Sequence, residues 1–226
     1  GSFLPEKILN NADLEKIVDT NDEWITTRTG IKERRILDKG IGTSHMAIQA
    51  ANTIIKKKKL DPTEIDLVVV ATITPDMHAT ATAAYVASEI GASNAFGFDI
   101  SAACSGFLYG LSTASAFIES GRYKKIILIG ADKMSSIVDY SDRNTCIIFG
   151  DGAGAVLLEP NIEGYGVKDE YLRSNGSNRD LLRIEAGGSQ TPTTKNTVKE
   201  KKHFIYQDGK NVFKHAVSNM SDASDQ

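Results

Sequence analysis

Leu67-Val68-Val69-Val70-Ala71-Thr72 is an unbroken apolar run, rich in β-branched residues. A strand wetted on one face alternates polar and apolar residues, so an unbroken run predicts a central strand covered on both faces. Two further short apolar runs follow, Phe96 to Ile100 and Ile126 to Gly130. Helical spacing fills the gaps, first from about Ala81 to Ile90 and then through Phe107, Leu108, Leu111, Ala114 and Ile118. Strand, helix, strand, helix, strand with short links predicts an α/β protein, a parallel sheet with helices on its faces. Ligands of such sheets bind at the carboxyl ends of the strands.

Cys104 stands at one of those ends, where the Phe96 run gives way to a helix. A thiol there faces the unpaired amides and the positive end of the helix dipole, which suits a nucleophile. The same amides can hold a developing oxyanion. Small neighbours (Ser101, Ala102, Ala103, Ser105, Gly106) leave room for a substrate. The pattern equally allows a buried cysteine that packs as a small hydrophobe. The other cysteine, Cys146, reads as an inert buried thiol in an apolar strand.

Ahead of the sheet, Asn10 to Asp13 can cap a short helix from Leu14 to Val18. Asn21-Asp22-Glu23 caps a second, with Gly30 as its stop. Trp24 and Arg28 are four apart on that helix and share a face. They are either a stacking and phosphate-binding pair or a Trp packed under an Arg stem. Ile31 to Leu37 reads as extended, Thr43 as the cap of a helix through Ile55, and Lys56 to Lys59 as its solvated end. Asp61-Pro62-Thr63-Glu64 carries a cap signal. Thr145 to Phe149, Gly150 to Gly154 and Ala155 to Glu159 read as strand, tight turn and strand. No Gly-Lys-Ser/Thr follows those glycines, which argues against a phosphate loop. Tyr165 to Leu172 predicts the opening of a second sheet, Arg173 to Glu200 a polar flap, and Gly209 onward an amphipathic helix.

Of the 226 residues, 41% are hydrophobic, enough for a sizeable core, and the net charge of −3 leaves no basic face for nucleic acid. No run reaches membrane-spanning length, and two cysteines in so long a chain fit a reducing, cytoplasmic setting.

Four blocks together resemble one family: Asn21-Asp22-Glu23-Trp24-Ile25-Thr26-Thr27-Arg28-Thr29-Gly30-Ile31, Asp99-Ile100-Ser101-Ala102-Ala103-Cys104-Ser105-Gly106-Phe107, Ile148-Phe149-Gly150-Asp151-Gly152-Ala153-Gly154-Ala155 and Val212-Phe213-Lys214. The family is β-ketoacyl-acyl-carrier-protein synthase III, which starts type II fatty acid synthesis. The resemblance implies a thiolase-like αβαβα layered fold of two similar halves, and a homodimer. Residues 1–160 would be the N-terminal half, complete or nearly so. Residues 161–226 would be a flap and the beginning of the second half. The implied reaction passes an acyl group from coenzyme A to Cys104. Malonyl on acyl carrier protein then loses CO₂ and attacks that thioester. No cofactor is implied beyond the coenzyme A thioester itself, and no metal. The resemblance gives Trp24, Arg28, Thr29 and Arg143 to the adenine end of coenzyme A, Phe213 to its pantetheine arm, and Lys214 to the carrier protein. It gives Thr80 and Phe149 to the acyl pocket.

Two departures stand out. The family's catalytic His and Asn belong to a His-Gln-Ala-Asn block and a Gly-Asn-Thr block, and neither occurs in these residues. His45, His78, His203 and His215 match no catalytic position, so the chain as given is expected not to condense. The family's usual first strand is likewise expected to be absent before Gly1. Second, Thr80 stands where the family often has Phe, which would leave room for a longer or branched acyl group. The alternatives are a related specialised ketide synthase or acyl-transfer enzyme, and an inactive fragment that only dimerises or binds.

Overall fold

The computed structural model describes all 226 residues. In chain order the elements are β1 (Ser2–Phe3), β2 (Ile8–Asn10), α1 (Asn11–Leu14), α2 (Asp22–Thr29), β3 (Glu33–Arg35), α3 (Thr43–Lys58) and β4 (Leu67–Ala71). Then come α4 (Thr82–Glu89), β5 (Phe96–Ile100), α5 (Gly106–Glu119), β6 (Ile126–Lys133), α6 (Arg143–Cys146) and β7 (Asp151–Leu158). The last are β8 (Leu182–Ile184), α7 (Lys195–Lys199), β9 (Ile205–Gln207) and α8 (Gly209–Ser224). They form two compact units whose segments interleave along the chain. The first holds residues 1–7, 35–133 and 151–170, and the second 8–34, 134–150 and 171–226.

The first unit is built on a five-stranded sheet ordered β1-β7-β6-β4-β5. As the sequence implies, β4 runs parallel to β5 and β6, with Val69 beside both Phe98 and Leu128. All five residues of β4 are buried. Its side chains still alternate: Val68 and Val70 meet the layer made by α3 and α4. Leu67 and Val69 meet α5 through Ala114, Phe107 and Leu111. The run is unbroken because both sides are dry.

The sheet is mixed rather than wholly parallel, since β7 lies antiparallel to β6 and β1 antiparallel to β7. The glycine run expected as a tight turn is the first part of β7, with Gly152 opposite Asp132 and Gly154 opposite both Gly130 and Ser2. None of these glycines has a positive φ, so nothing there turns the chain. The strand expected over Thr145 to Phe149 is also absent. Asp142 accepts from the Asn144 amide at 3.0 Å and starts α6 instead. Residues 165–172 form no second sheet, and Gly166 has φ 127°. The flap region contains β8, which pairs antiparallel with β9, and α7.

Several caps also differ from expectation. Asn10 closes a capping box with Asp13, so α1 begins at Asn11 and ends at Leu14, before the span expected for it. Thr43 lies inside α3, and its hydroxyl donates to the Thr74 carbonyl at 2.5 Å. The cap comes from Asp76, which accepts from the Ser44 amide at 2.9 Å and its hydroxyl at 2.5 Å. Asn21 and Gly30 bound α2 as the sequence predicts, with Gly30 at φ 72°.

The contact between α4 and β5 is unusually close. A Cβ built on Gly97 would lie 3.0 Å from the Ala83 carbonyl carbon and 3.1 Å from Ala83 Cβ. Gly97→Ala is therefore expected to destabilise the chain by about 1–3 kcal/mol, through overpacking against backbone that cannot step aside. Urea unfolding would show it as a lower midpoint with unchanged slope.

Candidate active site

Cys104 lies in a tight 3-10 turn, Ala103–Ser105, between β5 and α5, and its side chain is exposed. Glycines set its position. A Cβ on Gly106 would stand 3.2 Å from Ala71 Cβ, and one on Gly110 only 2.5 Å from Leu128 Cδ1. Without those methyls the first turns of α5 lie directly on β4 and β6. The chain must then bend hard between Ile100 and Gly106, and Ala103 takes φ 45°, a left-handed conformation in a non-glycine residue. Such a conformation costs about 1–3 kcal/mol and persists only where the surroundings fix it. No side chain caps α5, so its first amides and the positive end of its dipole are left to the turn. The sulfur presented there is accessible from outside the fold. The alternative of a buried packing cysteine is excluded by the exposure of Cys104.

Cys146 is the contrasting thiol. It is fully buried at the end of α6, not in a strand. Burial pushes it up to about 11, with Asp142 adding to the rise and Arg34 opposing it. The folded state thus holds this proton more tightly than an unfolded thiol does. The resulting stabilisation is complete below the ordinary value of 9.0 and fades as pH rises through about 11.

The loop after β4 carries Thr80. At its start one Asp132 oxygen accepts from Thr72 Oγ1 (2.9 Å), the Ile73 amide (2.8 Å), and Thr74 N and Oγ1 (3.2 and 2.9 Å). Thr80 itself is exposed, next to Ala79 at φ 73°.

In the second unit, Trp24 is flanked by two cations. The Arg28 guanidinium carbon sits 4.4 Å from the ring centroid, and that of Arg143 sits 5.1 Å away. Arg143 also reaches Asp19, donating to its carbonyl at 3.0 Å. A buried hydrogen-bond network brings these residues together. Asn11 donates to Asp22 Oδ1 at 2.6 Å, tying down the start of α2. Arg34, 3% exposed, donates through Nε to the Ile147 carbonyl at 2.9 Å, just past α6, and through Nη1 to Asn11 Oδ1 at 2.5 Å. Neither the capping signal at Asn11 nor the sequence around Arg34 points to this network. Arg34 sits in a short polar strand, and no local signal marks it as buried.

Thr29 spends its hydroxyl within the helix end, donating to the Ile25 carbonyl at 2.8 Å and accepting from the Ile31 amide at 3.1 Å. Phe149 is half-buried in the loop after α6. Phe213 and Lys214 are both exposed on α8, Phe213 at 70%. No group of His, Cys, Asp and Glu side chains is arranged to hold a metal ion.

A mixed sheet with helices on both faces and an exposed cysteine at the turn into α5 defines a thiolase-like α/β protein. A family model described as 3-Oxoacyl-[acyl-carrier-protein (ACP)] synthase III matches residues 98–176, the segment that carries this turn. The chain is 57% identical over 227 residues to a β-ketoacyl-[acyl-carrier-protein] synthase III of Chlorobaculum tepidum, covering 99% of this chain and 69% of the relative. It is 54% identical to β-ketoacyl-[acyl-carrier-protein] synthase III 2 of Bacteroides thetaiotaomicron, covering 99% and 67%. Among solved structures, the synthase III of Aquifex aeolicus VF5 superposes with a TM-score of 0.87 at 43% identity, covering 98% of this chain and 67% of that one. The priming β-ketosynthase of the R1128 polyketide pathway superposes with a TM-score of 0.89 at 33% identity, covering 99% and 66%. The chain belongs to the β-ketoacyl-acyl-carrier-protein synthase III family and spans about two thirds of the length of these relatives.

At pH 8, iodoacetamide is expected to modify Cys104 and leave Cys146 untouched, because the buried thiol stays protonated and shielded. Peptide mass spectrometry of the native protein reads this directly. Alkylation of Cys146 under native conditions would contradict it.

Proposed function

We infer that Cys104 is the acyl-accepting nucleophile of a condensing acyltransferase that initiates fatty acid synthesis from acyl-CoA and malonyl-acyl carrier protein. The observation that carries this reading is the exposed sulfur on a strained turn at the uncapped start of α5. In the first half-reaction the sulfur attacks the acyl-CoA carbonyl. A carbon–sulfur bond forms to Cys104, the bond to coenzyme A breaks, and the thiol proton ends on the coenzyme A sulfur. In the second, the malonyl carboxylate leaves as CO₂, and the electron pair released makes the new carbon–carbon bond as the Cys104 thioester opens.

The stack of Arg28, Trp24 and Arg143 suits the nucleotide of coenzyme A. An indole offers a face to adenine, and guanidinium groups match phosphate. Thr29 would serve this end by shaping the helix terminus, since its hydroxyl is already engaged. Phe213 would line the pantetheine path and Lys214 would meet the acidic carrier protein. Thr80 and Phe149 would bound the acyl group, with Thr80 favouring a longer or branched chain. The cytoplasm is the compartment that fits two free thiols. A specialised ketide synthase is the second reading, favoured by the likeness to the R1128 priming enzyme. The higher identity to a β-ketoacyl-[acyl-carrier-protein] synthase III ranks it second.

Incubation with acetyl-CoA should add one acetyl group, on Cys104, and quench the fluorescence of Trp24, the only tryptophan. Cys104→Ser should keep the quench and lose the thiol-linked adduct, and Arg28→Ala should weaken binding by about fivefold, roughly 1 kcal/mol of cation–π and phosphate contact. An acetyl group found only on Cys146 would overturn the assignment.

The proposed homodimer has a natural site in β5. It pairs with β4 alone, and Phe96 at its start is 44% exposed. An apolar edge strand of this kind invites a second strand. Sedimentation at micromolar concentration should show a dimer, and Phe96→Lys should shift it to monomer. A wild-type monomer across that range would refute the dimer.

A further inference from the structure

We propose that Asp99 is a positioning residue that couples the Cys104 turn to the loop carrying Thr80, and so sets which groups reach the sulfur; the proposal deepens the acyl-transfer reading above and rests on it. Three observations carry it. First, α4 has no cap of its own: Ala81 stands at its N-cap, with no side-chain bond. Asp99 supplies the cap from β5, its two oxygens accepting separately from the Thr82 amide at 2.7 Å and the Ala83 amide at 2.8 Å. Second, the contact is built into the backbone, since Gly97 leaves α4 almost touching β5 at Ala83. Third, Asp99 lies near both functional points along the chain, five residues ahead of Cys104, while its partner Thr82 is two residues after Thr80.

The loop between has few other restraints. Its start is fixed by Asp132 on β6, and Asp76 pins it to α3. Met77 to Thr80 are exposed, and Ala79 holds φ 73°. Two carboxylates, one on each strand neighbouring β4, therefore hold the two ends of this loop. Only the Asp99 anchor sits on the strand that continues into the nucleophile turn. Loss of its charge would let the start of α4, and Thr80 with it, drift relative to that turn. A bidentate carboxylate on helix amides is strong enough to hold this geometry.

The test compares wild type with Asp99→Asn, Thr82→Pro and Asp66→Asn. Thr82→Pro removes one of the two donors from the other side. It suits a first helical position after Ala81 at ψ 128°, and it deletes a hydroxyl buried without a partner. Asp66 is the control, a carboxylate that accepts from the Lys124 and Lys125 amides beyond the opposite end of β4. Each protein is reacted with iodoacetamide and with the bulkier N-phenylmaleimide, and Cys104 modification is followed by mass spectrometry. The ratio of the two rates should change by on the order of tenfold in Asp99→Asn, in the same direction in Thr82→Pro, and not in Asp66→Asn. Amide exchange at Ala83 should quicken by about tenfold in the first two variants, the loss expected for one charge-assisted bond. An unchanged rate ratio in Asp99→Asn and Thr82→Pro, or an equal change in Asp66→Asn, overturns the proposal. Acetyl-CoA and hexanoyl-CoA form a separate arm. If wild type takes an acyl group from neither, the thioester reading falls, while the alkylation ratio still decides the role of Asp99.

Discussion

A strand with no face toward water organises this protein. Burying β4 on both sides requires one apolar layer from α3 and α4 and another from α5. The layers must also lie close, because β-branched side chains are short and stiff. Gly97, Gly106 and Gly110 meet that demand by removing the methyls that would keep the helices off the strands. The close approach then leaves no gentle route from β5 into α5. The bend concentrates at Ala103, and the sulfur of Cys104 comes out at the carboxyl end of the sheet. Packing in the core and exposure of the Cys104 thiol are one arrangement seen from two ends.

Carboxylates from two strands and one loop fix the segments at that end. Asp132 gathers the start of the Thr80 loop, Asp99 the start of α4, and Asp76 the start of α3. Each places an anion where backbone amides converge, and each joins segments distant in sequence. The helices concerned lack caps of their own, so their starts are set by carboxylates distant in sequence rather than by local preference. In the second unit a buried cation does similar work. Arg34 joins the chain just past α6 to Asn11, which holds α2, and so gathers the elements that bear Trp24, Arg28 and Arg143.

Much of this was legible in the residues. The three parallel strands, the capped α2, the amphipathic α8 and the junction at Cys104 all follow from period, composition and local capping. The misreadings share one cause. Glycines read as a turn are extended in β7 because partners on both sides, β6 and β1, hold them in a ladder. The neighbourhood of Thr43 favours a local cap, whereas the capping Asp76 lies 32 residues from its partner Ser44. Asn11 and Arg34 carried no signal of burial because polar residues in a short exposed-looking segment say nothing about it.

The sequence by itself determined the layered α/β class, the family and the identity of the candidate nucleophile, since each rests on period or on contiguous residues. Tertiary structure alone decided the antiparallel edge of the sheet, the strain at Ala103, the pairing of two arginines on one indole, and the carboxylates that begin α3 and α4. Those features depend on contacts between residues far apart in the chain, and a local pattern cannot encode a partner that only folding brings near.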